Sequence, residues 1–180
     1  MIYVALIKCK NGAKEMHKTG IRLRDYMLSF LCENYNSADI IKGEKGKPLY
    51  KGAGFSISHS SGAVCCAVSV PYEKENVPED WKMLPIGDGT DVGIDIEPSD
   101  RRVYMPLARR FFSETEKEHI GCDATRFLEV WTKKESICKL TGEGIAGLKK
   151  PKPENVAVTT QKVSLDGREY VMSLAYYKNT

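Results

Sequence analysis

Apolar and polar positions along this chain repeat with two different periods. Alternation at every second residue marks "IYVALI" at 2–7, "FSISHSSGAVCCAVSV" at 55–70 and "VGIDIE" at 92–97, and again "ENVAVTT", "QKVSLDG" and "EYVMSLAYY" between 154 and 177. Such runs, rich in β-branched and aromatic residues, predict strands. The second is a strand pair or a strand entered through a polar turn, and the last three predict two or three terminal strands. Helical spacing takes over at 10–36, where Ile21, Leu23, Met27, Leu28, Phe30 and Leu31 recur on one side. A second helix starts at Ser113, whose partner Glu116 three residues on completes a capping-box pattern. A stronger helix, "TRFLEVWTKKESICKL", is stopped by Thr141-Gly142. Residues 71–90, dense in Pro, Gly and charge, predict a surface insertion.

The order strand, helix, strand occurs twice. An α+β chain of two pseudo-related halves follows, 1–70 and 91–180, within a single compact unit of 1–180. The strand at 92–97 then presents an oddity, because Asp95 and Glu97 interrupt its apolar run. Side chains alternate faces along a strand, so Val92, Ile94 and Ile96 share one face while Gly93, Asp95 and Glu97 share the other. The acids' Cα atoms lie about 6.6 Å apart, two strand rises. At about 5 Å two like charges repel by about 3 kcal/mol for an effective dielectric near 20. Solvent offsets that on an exposed polar face. A hard cation also offsets it, since Mg²⁺ takes one or two carboxylates together with water and phosphate oxygens. Gly93 on the acids' own face marks the close approach of a ligand or another backbone.

Placed on a helical wheel, Phe127, Val130, Trp131, Ile137 and Cys138 share one side of the 125–140 helix, and Glu129, Thr132, Lys133 and Ser136 the other. Glu135 edges the apolar stripe beside Trp131, with Lys139 a turn further on and Lys134 inside the apolar arc. Read alone, Glu135 and Lys139 form a surface pair contributing about 0.3 kcal/mol. Read with the strand acids, three carboxylates and two lysines at the rim of one core fit a metal-plus-phosphate site.

Bulk properties narrow the setting. The chain has 180 residues and a formal net charge of +3, too mild to demand nucleic acid. No apolar run reaches the roughly 20 residues of a membrane helix, and "IYVALI" lacks the form of a signal peptide. Six scattered cysteines, with no metal-ligand spacing to the three histidines, read as free thiols in a reducing cytoplasm.

"VGIDIEP", "RRFFSETE" and "WTKKESICKLTGEGI", preceded by "GKPLY" and "FSISHSSG", closely resemble the 4'-phosphopantetheinyl transferases. The resemblance runs from roughly Lys47 to Gly147. It is nearest the monomeric surfactin-synthetase-activating type, with a shorter region ahead of the first helix. It implies two halves with the active site between them. The implied activity is transfer of the 4'-phosphopantetheine arm of coenzyme A to a serine of an apo acyl or peptidyl carrier protein, releasing 3',5'-ADP, as in fatty acid, polyketide and nonribosomal peptide synthesis.

By the same resemblance Asp95, Glu97 and Glu135 are the ligands of Mg²⁺ (or Mn²⁺). Glu135 is the candidate base, and Lys139 contacts the phosphates and screens or protonates the leaving group. Lys134 is its neighbour. Ser58 and His59 contact coenzyme A, Lys47 and Pro48 lie near its adenine end, and Lys18, beside His17, matches a residue that holds the 3'-phosphate. Glu116 matches a further family acid. Carrier proteins are acidic, so Arg101, Arg102, Arg109 and Arg110 form a candidate docking face. Three rival readings are a metal-dependent nuclease, a serine hydrolase built on Ser58 and His59, and a catalytically idle carrier-binding or coenzyme A-binding relative. The first lacks the Glu-x-Lys order and the second a GxSxG elbow, while retention of all three acids weighs against the third.

Overall fold

The structure, a computed structural model, describes residues 1–10, 12–85, 91–103 and 105–178. Strand β1 (Ile2–Lys8) leads into helix α1 (Ala13–Leu31). A short hairpin, β2 (Ile41–Lys42) and β3 (Pro48–Leu49), precedes the longer hairpin β4 (Gly54–Ser60) and β5 (Ala63–Ser69), and β6 (Lys82–Leu84) follows. The second half runs β7 (Val92–Pro98), α2 (Met105–Phe111), α3 (Glu114–Ile120), α4 (Ala124–Thr141), β8 (Val156–Leu165) and β9 (Arg168–Tyr177). The runs at 156–160 and 161–165 therefore form one strand, because nothing between Thr160 and Gln161 breaks the ladder with β9.

The halves share one topology. In each, the first strand pairs antiparallel with the last, and that last strand also pairs with its hairpin partner: β5 lies between β1 and β4, and β9 between β7 and β8. Both hairpins turn through two residues of positive φ, Ser61-Gly62 and Asp166-Gly167, the type I′ geometry that matches strand twist. The inner sheet faces pack together through Ile2, Val4, Cys65 and Ala67 against Ile94, Ile96, Met172 and Leu174. Helix α1 covers the outer face of the first sheet with Leu23, Met27, Leu28 and Leu31, and α4 covers β7 and β9.

The sequence pattern misassigns two places. Residues 71–85 are not purely a surface insertion: β6 extends the first sheet at its β1 edge, and Trp81 is buried among Tyr3, Tyr26 and Phe30 at ring separations of 6.5, 5.8 and 5.5 Å. Residues 86–90 of that segment lie outside the described residues. On α4, Thr132 and Ser136 are fully buried rather than outward-facing. Each hydroxyl donates within its own helix, Ser136 to the Lys133 carbonyl at 2.8 Å and Thr132 to the Glu129 carbonyl at 3.3 Å, and Thr132 also lies 2.8 Å from Ser173 Oγ on β9. Small hydroxylated residues let α4 sit very close to the sheet. A Cβ on Gly93 would lie 2.0 Å from the Ser136 carbonyl oxygen, so this glycine admits the helix backbone.

Candidate active site at the seam between the halves

Strand β7 is an edge strand of the second sheet, and β4 runs beside it from the first. Three alternate serines of β4 reach across. Ser56 Oγ accepts from the Ile94 amide at 3.1 Å, Ser58 Oγ donates to Asp95 Oδ1 at 2.9 Å, and Ser60 Oγ donates to Glu97 Oε2 at 2.6 Å. The first satisfies an edge amide that no strand pairs. The other two fix carboxylates. Sequence reasoning passed over Ser56 and Ser60; the alternation Ser56, Ser58, Ser60 was their signal.

Helix α4 supplies the rest. Lys139 Nζ lies 2.7 Å from Asp95 Oδ1 and 2.8 Å from Ser58 Oγ, so the lysine pairs with the strand acid across the fold instead of with Glu135 on its own helix. Glu97 is engaged by Arg101. Burial, reinforced by Asp95, raises the Glu135 carboxyl above the usual carboxylate range. Burial raises Glu97 also, against the opposing pull of Ser60 and Arg101. Asp95, Glu97 and Glu135 are thus close enough to sense one another, with Lys139 and Arg101 as internal counter-charges.

Among the described residues no group of three or more His, Cys, Asp or Glu side chains is arranged so that it could hold a metal ion. Asp95 Oδ2 is nevertheless buried without a hydrogen-bond partner, while Oδ1 takes both Ser58 and Lys139. A buried orphan carboxylate oxygen, with a second acid two residues along the strand, fits a hard cation that keeps open positions for water and phosphate oxygens.

The remaining candidates divide. Ser58 and His59 point to opposite faces of β4, so they are no nucleophile pair. His59 turns toward His17, with ring centroids 6.5 Å apart, and burial followed by Lys139 lowers its pKa. His17 and Lys18 lie inside α1, not before it, and both are exposed. Lys47 ties the halves together: its ammonium donates to the Leu140 carbonyl at 2.9 Å and lies 3.3 Å from Asp91, while burial lowers its pKa. Pro48 is exposed in β3. Lys134 projects to the far side of α4 from Lys139, pairing with Glu116 at 2.9 Å. There it lines a cavity of about 1090 Å³ with Arg110, Lys133, Lys149 and Lys152. Glu116 also caps α3 through the Ser113 amide. Arg102, Arg109 and Arg110 are exposed and Arg101 half-buried.

Residues 91–176, which carry β7, α4, β8 and β9, match the model of the 4'-phosphopantetheinyl transferase superfamily. These residues, just under half of the chain, are similar to that superfamily. The transferase match thus spans Asp95, Glu97, Glu135 and Lys139, whereas Ser58 comes from the half outside it. The chain is 33% identical over 131 residues to the 4'-phosphopantetheinyl transferase gsp of Aneurinibacillus migulanus, covering 68% of this chain and 46% of that protein. It is 31% identical over 111 residues to the 4'-phosphopantetheinyl transferase Sfp of Bacillus subtilis (strain 168), covering 57% and 41% respectively. The chain therefore spans less than half the length of these curated relatives. No helix among the described residues is long and apolar enough to cross a membrane.

Proposed function

We propose that this protein transfers the 4'-phosphopantetheine arm of coenzyme A to a serine of an apo carrier protein, releasing 3',5'-ADP. The observation that carries this reading is the seam itself: Asp95 with its orphan oxygen, Glu97, Glu135 and Lys139 converge where β4 of the first half meets β7 and α4 of the second. Both relatives are named for this activity.

Asp95 and Glu97 would hold Mg²⁺, with Glu135 on the facing helix. The ion supplies charge neutralisation on the pyrophosphate. Every other element belongs to the chain. The carrier serine oxygen forms a bond to the β-phosphorus as the bond from that phosphorus to the bridging oxygen breaks, and the leaving electron pair departs on 3',5'-ADP. Glu135 takes the hydroxyl proton. Lys139, held between Asp95 and Ser58, faces the developing charge on the leaving phosphate. Ser58 and His59 flank the coenzyme from the first half, with Lys18 and Lys47 as further contacts, whereas Lys134, paired with Glu116 on the far side of α4, is turned away from them. Arg102, Arg109 and Arg110 offer the acidic carrier an exposed basic face. The six free thiols fit a cytoplasmic setting, and two halves in one chain fit a monomer.

Intact-mass spectrometry of several apo carriers incubated with the protein, coenzyme A and Mg²⁺ tests the proposal. A mass gain of one phosphopantetheine arm, abolished by EDTA, is the expected result. No gain on any carrier, with coenzyme A still bound, contradicts transfer and leaves a coenzyme A-binding relative.

A further inference from the structure

We propose that Ser60 and Arg101 are positioning residues that clamp the Glu97 carboxylate, and that Arg101 serves this clamp instead of docking the carrier. This deepens the metal-dependent transfer reading and rests on it. Each oxygen of Glu97 has one donor: Oε2 accepts from Ser60 Oγ at 2.6 Å, and Oε1 is engaged by Arg101 Nη1. An ionised carboxylate offers about four lone-pair sites. Two donors therefore fix its rotation and leave acceptor capacity directed away from both.

The clamp spans all three parts of the site. Ser60 comes from β4 in the first half, and Glu97 ends the acidic face of β7. The Arg101 guanidinium lies over the Trp131 ring, 5.9 Å from its centroid. Trp131 is buried on α4 one turn before Glu135. Arg101 thus braces the strand acid against the helix that carries the candidate base. A loose surface pair does not have this form: the Glu97 side chain is 12% exposed and Arg101 35% exposed. Of the four arginines near the metal strand, Arg101 alone is turned inward onto an acid and a ring, while Arg102, Arg109 and Arg110 stay exposed. Basic composition suggested one docking face; the geometry splits it.

Carboxylates that bind metals are themselves held by hydrogen bonds, and removing such a partner costs about 10- to 100-fold in metal affinity. The test is Mn²⁺ binding, read by the electron paramagnetic resonance of the free ion, on the full chain and on S60A, S60T, R101M and R102E. The Michaelis constant for an apo carrier is measured alongside. S60A and R101M are expected to weaken Mn²⁺ binding tenfold or more, S60T to restore it, and R101M to leave the carrier constant unchanged. R102E is expected to raise the carrier constant and leave Mn²⁺ binding alone. Parent-like Mn²⁺ binding by S60A and R101M overturns the clamp, most directly if R101M raises the carrier constant. If R101M does not fold, the S60A and S60T pair decides the matter. No Mn²⁺ binding by the parent overturns the metal reading itself, and the clamp with it.

Discussion

The first strands of the two halves, β1 and β7, are each seven residues long, and each pairs antiparallel with the last strand of its half. Aligned end to end, Tyr3, Ala5 and Ile7 stand where Gly93, Asp95 and Glu97 stand in the second. In the first half these residues pack beneath α1 in a wholly apolar core. In the second they make a glycine cradle and two acids beneath α4. The inner faces, Ile2 and Val4 against Ile94 and Ile96, are apolar in both. In the function proposed above, one architecture carries a supporting half and a reactive half, and the helix-facing side of a single strand makes the difference.

The sharpest way to break this comparison is to move an acid from one half to the other. Ala5 is fully buried in the apolar cluster beneath α1, so Ala5→Asp buries a charge there and should lower stability by about 3–5 kcal/mol in urea unfolding. A parent-like midpoint would show that β1 tolerates what only β7 is built to hold. Next, Glu135→Gln and Lys139→Met should each cut kcat by about 10²–10³ while the protein keeps its fold, checked by steady-state transfer assays with circular dichroism.

The close-approach glycines give a third contrast. Gly93→Ala puts a Cβ 2.0 Å from a carbonyl oxygen and 2.5 Å from the Leu140 amide, both helix backbone. Overpacking of this kind should cost about 3 kcal/mol. At Gly20 the added Cβ meets the Ile57 side chain at 2.7 Å, which can turn aside. The gain of about 1 kcal/mol in helix propensity also offsets part of the strain. Chemical denaturation of both variants should rank Gly93→Ala far below Gly20→Ala.

The smallest effect is a pH dependence confined to the first half. Burial, with Asp25 as hydrogen-bond partner, pushes the Tyr35 hydroxyl up to about 12 from the ordinary 10.0. The folded state then holds that proton more tightly than the unfolded chain. The associated stability is fully present below pH 10 and is lost as pH rises toward 12. Tyr35→Phe should flatten that part of the profile in urea midpoints measured between pH 9 and 11.

Much of this was legible in the chain. Ser113 and Glu116 announced a capping box that the structure forms in both directions. Gly142 adopts the left-handed C-cap of α4. The alternation at 92–97 placed both strand acids on one face. What escaped has physical causes. Thr132 and Ser136 look polar on a helical wheel, but small hydroxyls that bond within their own helix can be buried at little cost, and only the neighbouring Gly93 hinted at how close that helix lies. Trp81 sits in a stretch whose Pro and charge hide one aromatic anchor. The partners of Lys139, Arg101 and Lys47 are set by tertiary contact, as the choice of Asp95 over Glu135 for Lys139 illustrates.

The central claim is that the acidic face of β7 makes the second half reactive. It is tested most directly by single-turnover transfer, followed by intact mass, comparing the parent with Asp95→Asn on one apo carrier. The parent is expected to add one phosphopantetheine arm, and the variant, folded to the same degree, to fall at least a hundredfold behind. Transfer by Asp95→Asn at the parent rate would contradict it.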